Sequence, residues 1–185
     1  YYTDLTRSTD LPMVVYNIPL AGLLGFDQIK RLASIPGVKG IKYTAPTHFE
    51  ILRIKEEVGK EFRVYSGSDE MAMSGLSFGA DGIIGSFYNM IPEVFIALMS
   101  AVENGDMGLA KTLQETANAI IFFSLNYTPT AVIKKCMTWQ GADAGYCRKP
   151  FDNFVTEVEE ESLKTAWRKL KQDRNINGVA FLDVL

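Results

Sequence analysis

The sequence predicts an α/β protein: four parallel βα units followed by an all-helical extension. Three observations predict it. Apolar, β-branched runs of five to eight residues alternate with helical patterns of about ten residues. Glycine-containing turns join them tightly, as right-handed βα crossovers require. After Asn104 the strand-like runs stop and only helical spacing remains.

The elements follow in order. Residues 13–18 form an apolar strand stopped by Pro19, and residues 26–34 have helical spacing. Residues 38–44 form a second strand. Residues 47–58 form a helix that Thr47 can cap, with Glu50 in its first turn. A strand at 63–68, a short helix at 70–78 and a glycine-rich strand at 80–86 complete the alternation. A further helix starts at Pro92, where proline suits a first helical turn. The extension holds a long helix at 107–127 with apolar positions Leu109, Leu113, Ala117, Ile120, Ile121 and Leu125, ended by Pro129. A helix at 130–139 follows, then one at 157–173 with Val158, Leu163, Trp167 and Leu170 on its apolar side. The expected organisation is therefore residues 1–104 for the βα units and 105–185 for a helical extension packed on them.

Composition narrows the function. Of 185 residues, 47% are hydrophobic and 22% charged, as in a globular domain with a substantial core. A net charge of -3 leaves no electrostatic footprint for nucleic acid. The apolar runs are too short or too interrupted to span a bilayer, and no secretory leader is visible. Two cysteines, Cys136 and Cys147, are too few for a disulfide framework and read as reduced thiols, which points to the cytoplasm. His48 is the only histidine, which argues against a metal site. The first residues are Tyr1 and Tyr2 rather than an initiator methionine, a hint of an absent N-terminal part.

In parallel βα architectures, sites lie at the C-terminal ends of the strands. All four predicted strands carry polar groups there: Tyr16 and Asn17; Lys42 and Thr44; Gly67, Ser68, Asp69 and Glu70; Gly85 and Ser86. Side chains alternate along a strand, so Val38, Gly40, Lys42 and Thr44 share one face. If that face points into a barrel, the Lys42 amine is desolvated, and its neutral form can attack a ketone to give a Schiff base. The competing reading is a lysine that snorkels to water from a strand end. Tyr16, on the adjacent strand, is either a half-buried packing residue or a proton shuttle. Asp69 and Glu70 either complement a helix N-terminus or accept hydrogen bonds from sugar hydroxyls. Ser86 can donate to a hydroxyl or a phosphate, or cap the next turn. Gly79, Gly82 and Gly85 spell no phosphate-loop fingerprint.

Five segments resemble, in order and spacing, the N-acetylneuraminate lyase family. They are Val14-Val15-Tyr16-Asn17-Ile18-Pro19, Gly40-Ile41-Lys42-Tyr43-Thr44, Gly67-Ser68-Asp69-Glu70, the stretch from Gly79-Ala80-Asp81-Gly82 to Gly85-Ser86-Phe87-Tyr88-Asn89, and Cys147-Arg148-Lys149-Pro150-Phe151. This is the sialic acid branch of the pyruvate-dependent class I aldolases, a group that also contains dihydrodipicolinate synthase. The resemblance implies the C-terminal half of a (β/α)8 TIM barrel with its helical extension, and a homotetrameric enzyme. It implies that Lys42 forms the Schiff base with the C2 ketone of open-chain N-acetylneuraminate and that Tyr16 takes the C4 hydroxyl proton. The iminium is then the electron sink, so neither cofactor nor metal is needed. The products are pyruvate and N-acetylmannosamine. Thr44, Gly67, Asp69, Glu70 and Ser86 would hold the sugar acid.

Ser68 departs from the bulkier aromatic of some members. A larger departure is the first half-barrel, with its glycine-rich motif and Ser-Thr pair for the pyruvate carboxylate; no such segment is found in the 185 residues. Two other functions stay open: an aldolase for another 2-keto-3-deoxy sugar acid or a dihydrodipicolinate synthase-like enzyme, and a non-catalytic assembly remnant.

Overall fold

The computed structural model describes residues 1–185. The chain divides into two compact units, Tyr1–Gly85 and Ser86–Leu185.

The first unit runs α1 (Tyr2–Arg7), β1 (Met13–Asn17), α2 (Phe26–Ala33), β2 (Val38–Tyr43), α3 (Phe49–Glu57), β3 (Arg63–Ser66), α4 (Ala72–Ser77) and β4 (Gly82–Ile83). The four strands form one sheet in the order β1-β2-β3-β4, and every neighbouring pair is parallel. A doubly wound sheet would reverse its strand order at a switch point. Sequential order throughout is that of a barrel.

Side-chain alternation confirms the assignment. Val15, Ile41 and Val64 point to one face, where Ile29 of α2 and Ile51 and Ile54 of α3 cover them to form the core. Burying each such side chain contributes roughly 1.5–3 kcal/mol. The opposite face carries Val14, Tyr16, Lys42 and Tyr65, matched across the strands as Tyr16↔Lys42 and Lys42↔Tyr65. Val14 and Tyr16 are exposed there, and Lys42 and Tyr65 are half-buried. Helices on one face only, over a sequentially ordered parallel sheet, make this half of a (β/α)8 barrel with a helical extension.

Two polar devices tie the layers together. Asp81, just before β4, accepts from Lys55 Nζ of α3 at 2.7 Å, from Arg63 Nη1 at 2.9 Å and from the Val64 amide at 2.7 Å. Burial pushes its carboxyl upward, but these three donors outweigh that and hold it below the usual range. On the other flank, α4 lies so close to β3 that the Ser66 side chain fills the space where Gly75 would carry a Cβ.

The second unit contains α5 (Pro92–Glu103), α6 (Met107–Ser124), α7 (Pro129–Trp139), α8 (Glu157–Arg174) and α9 (Ala180–Asp183). Helix α5, counted with the fourth βα unit in the sequence reading, packs along α6. Trp167 of α8 is the hub of an aromatic cluster, 4.2 Å from the Phe123 ring and 4.9 Å from that of Phe181.

Several local expectations change. Strand β4 is shorter than the expected 80–86, although Asp81 and Ile84 still donate to Val64 and Ser66 carbonyls. Thr47 does not cap α3; its hydroxyl bonds the Tyr43 hydroxyl at 2.8 Å, and His48 takes the N-cap position. Pro129 opens α7 rather than merely ending α6. Leu109, Leu125 and Val158 are exposed, whereas Ala110, Gln114, Ala117 and Ser124 join Ile120 and Ile121 on the buried side of α6. No helix is long and apolar enough to cross a membrane.

Candidate active site

Strand β1 ends in Tyr16 and Asn17, whose side chains point to opposite faces. Asn17 is only 1% exposed, and its Oδ1 accepts the Leu24 amide at 2.9 Å while its carbonyl accepts the Thr44 amide at 2.9 Å. It therefore pins the loop after β1 and the end of β2 from beneath. This fixes the backbone that carries Tyr16 on the open face.

Lys42 stands beside Tyr16 at the matched position of β2, with Nζ 4.3 Å from the ring centroid. Thr44 follows two residues on, its hydroxyl buried and without a hydrogen-bond partner. Gly67, at the end of β3, explains how these groups fit. A Cβ there would lie 3.1 Å from Lys42 Cε and 3.0 Å from Thr44 Cβ, and closer still to Thr44 Oγ1. Only a bare α-carbon leaves that space to the threonine and the lysine stem. The structure thus brings Tyr16, Lys42, Thr44 and Gly67 together on the open face.

The neighbouring carboxylates have different surroundings. Asp69 is 6% exposed and lies against Gly85, whereas Glu70 is exposed. Ser86 opens the second unit. Its side chain makes no capping bond to the turn Phe87–Asn89, and its carbonyl accepts from Asn89 Nδ2 at 3.0 Å.

Beneath the rim lies a polar group that the sequence reading did not anticipate. His48 Nδ1 bonds Ser74 Oγ at 2.9 Å, while His48 Nε2 and the Ser66 hydroxyl are buried without partners. Burial holds the imidazole below its ordinary pKa. A lone histidine two residues beyond Pro46 offered no signal for this, because Ser74, 26 residues away, meets it only through the tertiary fold.

Lys42 thus stands at the C-terminal end of a sequentially ordered parallel sheet, on the face away from the core. The chain belongs to the dihydrodipicolinate synthetase family, whose profile matches residues 1–172. It is 38% identical over 180 residues to N-acetylneuraminate lyase 2 of Escherichia coli O6:H1, covering 95% of this chain and 59% of that protein. The chain therefore spans about three-fifths of this relative's length. Among solved structures it is similar to CdNal from Clostridium difficile in complex with mannosamine. That match has a TM-score of 0.83 and 27% identity, over 92% of this chain and 59% of the other. It is also similar to N-acetylneuraminate lyase from Fusobacterium nucleatum complexed with pyruvate, with TM-score 0.81 and 28% identity, over 94% of this chain and 57% of the other. Both the curated relative and the two solved structures are matched over less than two thirds of their own length.

Proposed function

We propose that this chain carries the Schiff-base half of an aldolase that cleaves N-acetylneuraminate to N-acetylmannosamine and pyruvate. The observation that carries the reading is the pairing of Lys42 and Tyr16, an amine and a phenol side by side on one sheet face. The similarity to N-acetylneuraminate lyases supports the choice of substrate.

In this reading the Lys42 amine adds to the C2 ketone of the open-chain sugar acid and water leaves, giving an iminium. Tyr16 takes the proton of the C4 hydroxyl. The C3–C4 bond then breaks, its electron pair passes into the iminium, and an aldehyde is released. Protonation of the enamine and hydrolysis free pyruvate and return the amine. Thr44, Gly67, Asp69, Glu70 and Ser86 form the sugar-acid subsite. Residues 1–104 supply the barrel units and 105–185 the extension, within a cytoplasmic homo-oligomer that we take to be a tetramer.

The test is borohydride reduction in the presence of pyruvate, on the chain completed with the N-terminal portion of the Escherichia coli relative. A reduced adduct should appear on Lys42 and vanish in Lys42→Arg, whose guanidinium stays protonated and cannot condense. A label on any other lysine overturns the mechanism.

A second reading, a non-catalytic assembly module, draws on the open sheet face that bears Val14 and Tyr16. Absence of both adduct and turnover in the completed protein would favour it.

A further inference from the structure

We propose that Gly85 is a positioning residue that seats the Asp69 carboxylate and thereby sets selectivity for the polyol part of the substrate. The inference rests on the aldolase reading and concerns its sugar-acid subsite. Gly85 does not adopt the left-handed backbone that favours glycine; it is absent from the positive-φ glycines, which run from Gly22 to Gly178. Its backbone would accept alanine. What excludes a side chain is a neighbour. A Cβ on Gly85 would lie 2.7 Å from Asp69 Oδ2, and closer still to Cγ and Oδ1. The carboxylate therefore occupies the volume that any other residue's Cβ would fill.

Asp69 begins the turn after β3, and Gly85 follows β4. The side chain thus crosses from one strand end to the next and is held over a bare α-carbon. Asp69 is buried to 6% exposure while its neighbour Glu70 is exposed. Of the two acids, Asp69 is the one that lies against Gly85. A buried carboxylate held at a defined point accepts hydrogen bonds from hydroxyls in a fixed geometry, and misplacing it forfeits those bonds. Gly67 makes a similar clearance for Thr44 and Lys42 on the catalytic side. Two glycines of ordinary φ thus leave room at the rim, one for the reacting amine and one for the sugar-binding acid.

A double-mutant cycle tests the seat without relying on activity. Gly85→Ala should lower the melting temperature by about 3 °C or more, as overpacking does in a chain of this size. In an Asp69→Ala background the same change should cost almost nothing, because the obstructing atoms are gone. If Gly85→Ala alone fails to fold, recovery of a folded protein in Asp69→Ala/Gly85→Ala supports the seat equally. Equal costs in both backgrounds would overturn it. In the preparation that cleaves N-acetylneuraminate, Gly85→Ala should raise KM at least about tenfold, the loss expected for a hydrogen bond to a charged group. The pyruvate adduct on Lys42 should stay within about twofold of the parent. An unchanged KM, or equal damage to adduct and KM, would overturn the selectivity role. Coupled melting together with no lyase activity in the parent completed with the N-terminal portion of the Escherichia coli relative would instead overturn the aldolase reading and leave the seat standing.

Discussion

The Lys42 ammonium nitrogen lies 4.3 Å from the centroid of the Tyr16 ring, and the two residues are register partners across β1 and β2. An aromatic face attracts a cation, by about 0.5–1 kcal/mol where water has access. The ring therefore draws the flexible lysine towards β1 and keeps amine and phenol in one place. In the proposed mechanism Tyr16 has two separable parts: a ring that orients Lys42, and a hydroxyl that takes a proton.

Tyr16→Phe separates them. The ring and its contact with Lys42 remain, so the pyruvate adduct should still form at close to the parental yield. Cleavage of N-acetylneuraminate in the completed barrel should fall by about 10²–10⁴-fold, the contribution of a positioned acid–base group. Mass spectrometry of the trapped peptide and a steady-state assay of released pyruvate read the two effects separately. Loss of the adduct together with turnover would assign the hydroxyl to Schiff-base formation rather than to bond cleavage.

Glu70 is next to Asp69 but exposed, which makes it the outer acid of the pair. Glu70→Ala should raise KM for N-acetylneuraminate by about tenfold while leaving the yield of the pyruvate adduct intact. Equal loss in both measurements would identify Glu70 as an acid that serves only the turn Asp69–Met71.

The second unit has its own electrostatic clamp. Glu160 in the first turn of α8 accepts from Lys135 Nζ at 2.9 Å and from Trp139 Nε1 at 2.7 Å, both on α7. Lys135, then Trp139, outweigh burial and bring its carboxyl down from 4.5 to about 2. The sign follows from the lowered value: the stabilisation is fully present above the unfolded-state pKa and is lost as pH falls from about 5 to about 2. Glu160→Gln should lower stability at pH 7 by on the order of 2 kcal/mol. The gap between parent and variant should narrow steadily towards pH 2. Urea unfolding at several pH values measures it, and a gap independent of pH would mean that shape rather than charge holds α7 to α8.

Much of this was legible in the sequence because strand periodicity is simple. Lys42 and Tyr16 could be placed on rim positions from alternation alone, and each predicted helix beyond Phe26 has a counterpart. What escaped depended on neighbours distant in sequence. Leu109 and Leu125 looked like core positions of α6, but the buried side of that helix carries Ala110, Gln114 and Ala117, so small and polar residues are buried instead. Thr47 had the right chemistry for a cap, yet Tyr43, buried four residues earlier, claims its hydroxyl. Glycine was the least readable of all. Gly67 and Gly85 resemble turn residues in sequence, and nothing local reveals that Thr44 and Asp69 occupy the space where their side chains would be.

The open sheet face leads to the last expectation. Val14 and Tyr16 are exposed on it, and β1 and β4 each have only one strand neighbour. Such edges carry backbone groups that pair with any compatible strand, and closure into a barrel removes them. Closure would also exclude water from around Lys42 Nζ, and in the proposed mechanism a desolvated amine is what condensation requires. The chain on its own should therefore show little or no turnover of N-acetylneuraminate. Adding the N-terminal portion of the Escherichia coli relative, in trans or fused, should restore it by covering this face. Sedimentation distinguishes the alternative in which two copies pair edge to edge: a dimer of the chain alone with negligible activity. A fully active monomer of these 185 residues would show that an open face suffices to desolvate the amine and hold the pyruvate carboxylate, and would refute the requirement for closure.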